Sequence, residues 1–174
     1  MHIRKAAPGE EDFVLSFYHD LIDGMKDQTY RPSWTQGVYP AMGDIQSAIR
    51  RSELYLALED GRIAGAFILN RTQGAGYDKV DWTVNADPDR VSVVHLLAVD
   101  PAIHGRGIGK LLLQKVVEVS RARGDEVIRL DTLTRNLPGR KLYEGFGFHY
   151  CGDYDLTYPT TGTIPFSMFE LPVR

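Results

Sequence analysis

The sequence holds one cysteine, Cys151, in 174 residues. That excludes an internal disulfide and leaves no paired cysteines at metal-ligand spacing. A reducing, cytoplasmic setting fits this usage, and no metal site is expected. No window is apolar for the length a bilayer crossing needs, and Met1-His2-Ile3-Arg4-Lys5-Ala6 runs into acidic residues without a signal-peptide core. A soluble chain with no membrane role is the expectation. Excess positive charge is missing too: 20 Lys and Arg against 23 Asp and Glu leave a net −3, so nothing draws the chain toward nucleic acid. Internal repeats and low-complexity linkers are absent. At this length one domain, 1–174, can bury a core without metals or cross-links.

What is present is a regular alternation of helical and strand patterns. Residues 2–6 read as a short strand and 10–21 as a helix with acidic first turn, whose Phe13, Val14, Phe17 and Leu21 recur at three- and four-residue steps. Residues 23–43 are irregular and aromatic, and a loop of this length usually has a function. Asp44 is read as the cap of a short helix to 51, followed by strands at 54–58 and 63–70 joined by the turn Glu59-Asp60-Gly61. A short strand is expected at 80–84, then a long β-branched strand at 91–99. A helix over 110–123 stops at Gly124; 127–133 is a strand, 138–144 a helix, and 148–156 and 167–172 are closing strands.

Between the long strand and its helix stands His104-Gly105-Arg106-Gly107-Ile108-Gly109. Alternating glycines before a helix let backbone amides approach an anion and add the partial positive charge of the helix start. Arg106 and Lys110 place cationic side chains beside that nest. A tight strand-to-helix turn needs the same glycines, so the segment alone leaves both readings open. It is not a P-loop, because Gly109-Lys110 is followed by Leu111, and it lacks the spacing of the dinucleotide fingerprint. An ATP-binding role therefore has no supporting motif.

With the strand end Val99-Asp100-Pro101 before it, the segment resembles motif A of the GNAT acetyltransferases, Arg/Gln-x-x-Gly-x-Gly/Ala. A second stretch, Asn136-Leu137-Pro138-Gly139-Arg140-Lys141-Leu142-Tyr143 followed by Gly145-Phe146-Gly147-Phe148, resembles the family's Asn-x-x-Ala-x-x-Leu-Tyr…Gly-Phe, with Gly139 in place of Ala. Together they cover roughly residues 44–158. A narrower likeness to small bacterial members rests on Trp34, Tyr39-Pro40, Glu53-Leu54-Tyr55, Asn70, Tyr77, Trp82 and Ile128-Arg129-Leu130-Asp131.

The resemblance implies an α+β, layered fold. Its mixed, mostly antiparallel sheet has six to seven strands and about four flanking helices, with a splay between the fourth and fifth strands. It implies acetyl-CoA as cofactor, held by the backbone of Leu97, Ala98 and Val99, by His104, Gly105, Arg106, Gly107, Ile108, Gly109 and Lys110, and by Asn136. His104 stands where the family has Arg or Gln, which implies weaker or pH-sensitive binding. Tyr143 is implied as the acid that protonates the departing thiolate.

The implied reaction is direct attack of a primary amine, from a small molecule or a peptide, on the thioester. A lysine amine near pKa ~10.4 costs roughly 4–5 kcal/mol to neutralise at pH 7 and an α-amine near ~8 about 1. His95, two residues before Leu97 and with a histidine's ordinary pKa near ~6.5, is the leading base candidate, against the alternative of a packed, inert histidine. Tyr30, Trp34 and Tyr39 are candidates for the acceptor wall, with an aromatic core cap as the competing reading. Cys151 has no histidine partner motif and receives no catalytic role. A homodimer is compatible with the family, and a non-catalytic acyl-CoA sensor on the same fold is the alternative function.

Overall fold

The structure is a computed structural model that describes residues 1–103 and 105–173; His104 lies outside the described residues. In chain order the elements are β1 (His2–Lys5), α1 (Glu11–Met25), α2 (Met42–Arg50), β2 (Leu54–Glu59), β3 (Arg62–Asn70), β4 (Val91–Val99), α3 (Ile108–Ala122), β5 (Val127–Leu133), α4 (Leu137–Phe146), β6 (His149–Tyr158) and β7 (Gly162–Pro172). The strands hydrogen-bond in the order β1-β2-β3-β4-β5-β7-β6. The β1–β2, β2–β3, β5–β7 and β6–β7 pairs are antiparallel and β4–β5 is parallel. Among the described residues, seven strands and four α-helices agree with the expected mixed sheet. The chain divides into two compact units, Met1–Leu69 with His95–Lys115, and Asn70–Val94 with Val116–Arg174.

In the first unit, Asp60 (φ 50°) and Gly61 (φ 76°) turn the chain between β2 and β3 in the left-handed backbone that a two-residue hairpin loop requires. Val14, Tyr18 and Leu21 of α1 and Ile45, Ala48 and Ile49 of α2 pack onto Leu54, Leu56, Ile63, Ala66 and Ile68 of the sheet. The buried face of α1 thus runs through Tyr18, while Phe13, expected in the core, is 41% exposed. A tyrosine is buried here because its hydroxyl has a partner, described below. Both carboxylate oxygens of Glu10 receive the Arg4 guanidinium, at 2.7 and 2.8 Å, and the Ala7 amide adds a bond at 2.8 Å. Asp44 is not the N-cap: it lies in the first turn of α2 and accepts from the Ala41 amide at 2.8 Å, so the helix begins at Met42.

One close approach fixes where α3 begins. A Cβ on Gly65 of β3 would lie 2.8 Å from the Ala98 carbonyl oxygen and 2.9 Å from Leu112 Cδ1. Only glycine lets β3, the end of β4 and the first turns of α3 come together at this point.

In the second unit β4 and β5 pair as Val91↔Val127, Ser92↔Ile128 and Val93↔Arg129. Asp125, 4% exposed, collects the Arg71 guanidinium at 2.5 Å and the Ser92 hydroxyl at 2.5 Å, and Ser120 of α3 donates to Ser92 at 2.8 Å. The strands at the end of the chain are longer than expected and form the β6–β7 hairpin from His149↔Glu170 to Tyr158↔Gly162. The strand expected at 80–84 does not form. A 3-10 turn over Tyr77–Lys79 leads into irregular chain. The amides of Thr83 and Val84 donate to the buried Glu170 carboxylate at 2.7 and 3.1 Å, and the Trp82 indole donates to the Tyr77 carbonyl at 2.8 Å. Side-chain and turn bonds satisfy these groups without a strand ladder.

Two outcomes follow from this packing. Gly65→Ala lowers the unfolding free energy by about 1–3 kcal/mol in urea titration, because the Ala98 backbone cannot yield as a side chain does. The Arg4 hydrogen bonds, followed by the Ala7 amide, hold the Glu10 carboxyl at about 2 against an ordinary 4.5, burial opposing them. Its stabilisation is therefore complete above pH 4.5 and is lost as pH falls toward 2. Arg4→Ala moves the acid-unfolding midpoint, followed by circular dichroism, to higher pH.

Candidate functional site

The glycine turn takes the form its composition suggests. Gly105 (φ 80°) and Gly107 (φ 75°) are left-handed, and the space where a Cβ would stand on each is open to 4 Å. The Leu111 amide bonds the Gly107 carbonyl at 3.1 Å, which starts α3 immediately after the turn. Ile108, 2% exposed, anchors this start in the core. The amides of Ile108, Gly109 and Lys110 come before the first amide that donates within the helix, that of Leu111, so they have no intrahelical partner and carry its positive dipole end. Free backbone amides at a helix start form a nest of the kind that binds anions.

The two cations differ in their surroundings. Arg106 forms a two-pronged pair with Glu59 at the β2–β3 turn, at 2.5 and 2.9 Å. That hydrogen bonding lowers the Glu59 carboxyl and raises the Arg106 guanidinium. Lys110 is exposed on the first turn of α3. His104 lies outside the described residues.

The end of β4 breaks regular strand geometry at Leu96, a non-glycine residue at φ 50°. Tyr18, fully buried, donates its hydroxyl to the Leu96 carbonyl at 2.7 Å; burial raises that phenol far above its ordinary range. Leu96 and Ala98 point into the core of the first unit, whereas His95, Leu97 and Val99 alternate with them and are half-buried. The sequence reading missed Tyr18 and its pairing. Its only local signal is its place between Val14 and Leu21 on one helix face.

The aromatic segment lies in the same unit. Trp34 meets Tyr18 edge-on at 5.7 Å, and both Trp34 and Tyr39 pack on the core. Thr35 and Tyr39 exchange backbone bonds at 3.0 Å in each direction, and Gln36 donates to the His19 carbonyl at 3.1 Å. Trp34 and Tyr39 therefore cap the core, while Tyr30 is half-buried and stands apart from that cluster.

The second unit carries the other motif. Asn136 is the N-cap of α4: its carbonyl accepts from the Gly139 amide at 3.1 Å and its amide donates to Thr132 at 2.8 Å. A Cβ at residue 139 would displace the Asn136 carboxamide, the movable end of that side chain, so glycine lets it sit closer to the helix start than alanine would. Tyr143, 6% exposed, packs on Phe148 and Phe169 at 5.9 and 5.5 Å. Among the described residues its hydroxyl makes no hydrogen bond. Burial first, and the Asp131 charge second, push this phenol up, so it holds its proton at neutral pH.

Asp131 is a carboxyl whose role the sequence reading passed over. Tyr77 donates to its Oδ2 at 2.8 Å and Tyr158 at 3.5 Å. Burial raises its pKa, and the two tyrosine bonds only partly oppose that rise. Cys151 is half-buried and its thiol is pushed up to about 12, by burial first and then by Glu170, which keeps it from acting as a nucleophile.

Comparison with known proteins supplies the family. Residues 20–148 match the profile of the Acetyltransferase (GNAT) family. The chain belongs to that family, whose members use acetyl-CoA as acyl donor.

Among its relatives, the N-alpha-acetyltransferase RimI of Mycobacterium tuberculosis is 35% identical over 75 residues, 43% of this chain and 46% of that one. Other curated relatives are matched over 18–30% of their own length. A GNAT-family acetyltransferase of Streptococcus agalactiae shares the fold with a TM-score of 0.78 at 21% identity, over 98% of this chain and 94% of that one. The protein yncA of Salmonella typhimurium, solved with its cofactor acetyl-CoA, has a TM-score of 0.67 at 15% identity, over 100% of this chain and 94% of that one.

Two substitutions test these environments. Tyr18→Phe leaves the Leu96 carbonyl without its donor and costs about 1–3 kcal/mol in thermal or urea unfolding. Because folded Asp131 keeps its proton to higher pH than the unfolded chain does, its contribution to stability falls as pH rises from its ordinary 3.8 through the raised value. Asp131→Asn removes this slope, so the wild type loses stability relative to the variant as pH rises.

Proposed function

We propose that the chain transfers an acetyl group from acetyl-CoA to a primary amine of a small molecule or peptide, by direct attack within a ternary complex. The observation that carries this reading is the left-handed Gly105–Gly107 turn that opens α3, with room at both glycines for a ligand to approach the backbone. In this reading 1–174 acts as a single transferase domain, and the protein works in the cytoplasm.

Bound acetyl-CoA supplies a thioester whose acyl carbon accepts the amine and whose sulfur departs as a thiolate. The amides of Ile108, Gly109 and Lys110 hold the pyrophosphate, with Lys110 adding charge. Arg106 contributes after exchanging Glu59 for a phosphate oxygen. The backbone of Leu97, Ala98 and Val99 binds the pantetheine arm. An amide of this stretch steadies the negative charge that develops on the acyl oxygen. Asn136, a helix cap in the structure, turns its carboxamide toward the arm.

Tyr143 gives its proton to the thiolate, a task that suits a phenol kept protonated by burial. His95 takes the proton from the amine. Tyr30 and the half-exposed sides of Trp34 and Tyr39, whose inner sides cap the core, line the acceptor site in this reading. The raised pKa of Asp131 and its influence on Tyr143 support a second reading, in which this carboxylate accepts the amine proton.

Thiol release measured with acetyl-CoA and a panel of amines and peptides tests the reaction. Turnover with at least one amine is the expected result; acetyl-CoA binding in calorimetry with no turnover across the panel would instead mark an acyl-CoA sensor. Tyr143→Phe lowers kcat by about 10²–10⁴-fold with the acetyl-CoA dissociation constant held within a few-fold. His95→Ala and Asp131→Asn separate the two bases: the variant that lacks the base loses the rising acid limb of kcat/KM against pH, and the other keeps it.

A further inference from the structure

One cation of the glycine turn is taken by the chain's own carboxylate. Arg106 lies between the left-handed residues Gly105 and Gly107, and its two terminal nitrogens donate to the two carboxylate oxygens of Glu59, at 2.5 and 2.9 Å. Such two-pronged, charge-assisted pairs are among the strong hydrogen bonds. The contact also uses the edge of the guanidinium that would grip a phosphate, since carboxylate and phosphate oxygens match the same parallel N–H groups.

The backbone brings Glu59 to this place. It closes β2 opposite Arg62, across the two-residue turn. Further in, the register slips from Leu58↔Ile63 to Ala57↔Gly65, so Ala64 is an extra residue on β3, a bulge of the kind that re-aims a strand end. The Ala64 carbonyl accepts the Asp100 amide at 3.0 Å, where the chain leaves β4 for the glycine turn. The bulge and the close approach at Gly65 therefore fasten the β2–β3 hairpin to the chain just before Arg106.

The pair is anchored at its base and open at its head. Side-chain exposure is 52% for Arg106 and 24% for Glu59, so parting them strands neither charge away from water. A carboxylate tethered beside its partner acts at a high effective concentration, and a lone anion from solution competes poorly with it. A ligand held at the same time by the amides of Ile108, Gly109 and Lys110 is tethered as well, and it can take Arg106 from Glu59.

We propose that Glu59 is a donor-selecting residue: its carboxylate takes the place of a phosphate on Arg106, keeps simple anions out of the turn, and yields to a ligand whose linked phosphates engage the amides and Arg106 together. The proposal rests on the cofactor-binding role given to this turn above. Acetyl-CoA then binds less tightly than the turn alone would allow, by the strength of the pair that opens.

Calorimetric titration of the full chain with acetyl-CoA, alone and against inorganic phosphate, tests this. Asp60 supplies the control, because its charge also acts on Arg106 and asparagine suits its left-handed backbone at φ 50°. Glu59→Gln tightens acetyl-CoA about threefold to fivefold, near the upper end for an exposed ion pair, and inorganic phosphate then competes at lower concentration than in the wild type. Asp60→Asn has less than half that effect. In an Arg106→Ala background Glu59→Gln gains no more than Asp60→Asn does. Weaker binding by Glu59→Gln means that Glu59 aims Arg106 at the ligand, and it overturns the proposal. So does a gain no larger than that of Asp60→Asn, or one that survives Arg106→Ala. Acetyl-CoA that binds and turns over without regard to Glu59 leaves the transferase reading standing alone. The expected affinities without thiol release from any amine keep the role of Glu59 and remove the transferase, and failure of every variant to bind acetyl-CoA removes both.

Discussion

The hydrogen bond from the Tyr18 hydroxyl to the Leu96 carbonyl fixes what the end of β4 can present. A non-glycine residue at φ 50° is unfavourable in a strand, and it persists only where surrounding structure holds it. Tyr18 does so from the buried face of α1, with Trp34 packed on its ring. Beyond Leu96 the alternation of β4 leaves His95, Leu97 and Val99 half-buried and sends Leu96 and Ala98 into the core. Gly65 then allows the Ala98 carbonyl and the first turns of α3 to close on β3, and the glycine turn leads into a helix start packed against that strand. The helix, the strand and the anion nest of the first unit are one mechanical assembly.

The second unit is organised by buried charge rather than by a single bend. Just before β5, Asp125 gathers Arg71 and Ser92, and Ser92 in turn accepts from Ser120. Glu170 and Arg129 tie the irregular segment after β3 to the sheet. Asp131 joins Tyr77 and Tyr158 beneath it. Removing one partner from such sites leaves a buried polar group unmet, which is far more damaging than losing an exposed pair. The apolar residues around them give the unit its mass, and the acids determine which segment lies where.

How much of this was legible follows from how local each signal is. The hairpin at Asp60-Gly61, the strand Val91–Val99 and the helix ending at Gly124 rest on neighbours in sequence, and they could be read there. The glycine turn and the Asn136–Tyr143 stretch were legible as a pair because their residue types and spacing are restrictive. Tyr18 was not, since its partner Leu96 is 78 positions away. The segment at 80–84 was misread for a similar reason: its residues suit a strand, but Glu170, 87 positions beyond Thr83, supplies the acceptor. Asp131 was visible as a residue, yet nothing in sequence reveals that two tyrosines and burial surround it.

The chain between β3 and β4 has little regular structure, yet its anchors recur every few residues: Arg71 on Asp125, Gln73 on Arg129, Tyr77 on Asp131, and Thr83 and Val84 on Glu170. Amide exchange at Thr83 and Val84 must wait for a buried carboxylate to let go, so these amides exchange on the timescale of core opening rather than of a surface loop. Irregular by its backbone, the segment belongs by its kinetics to the sheet.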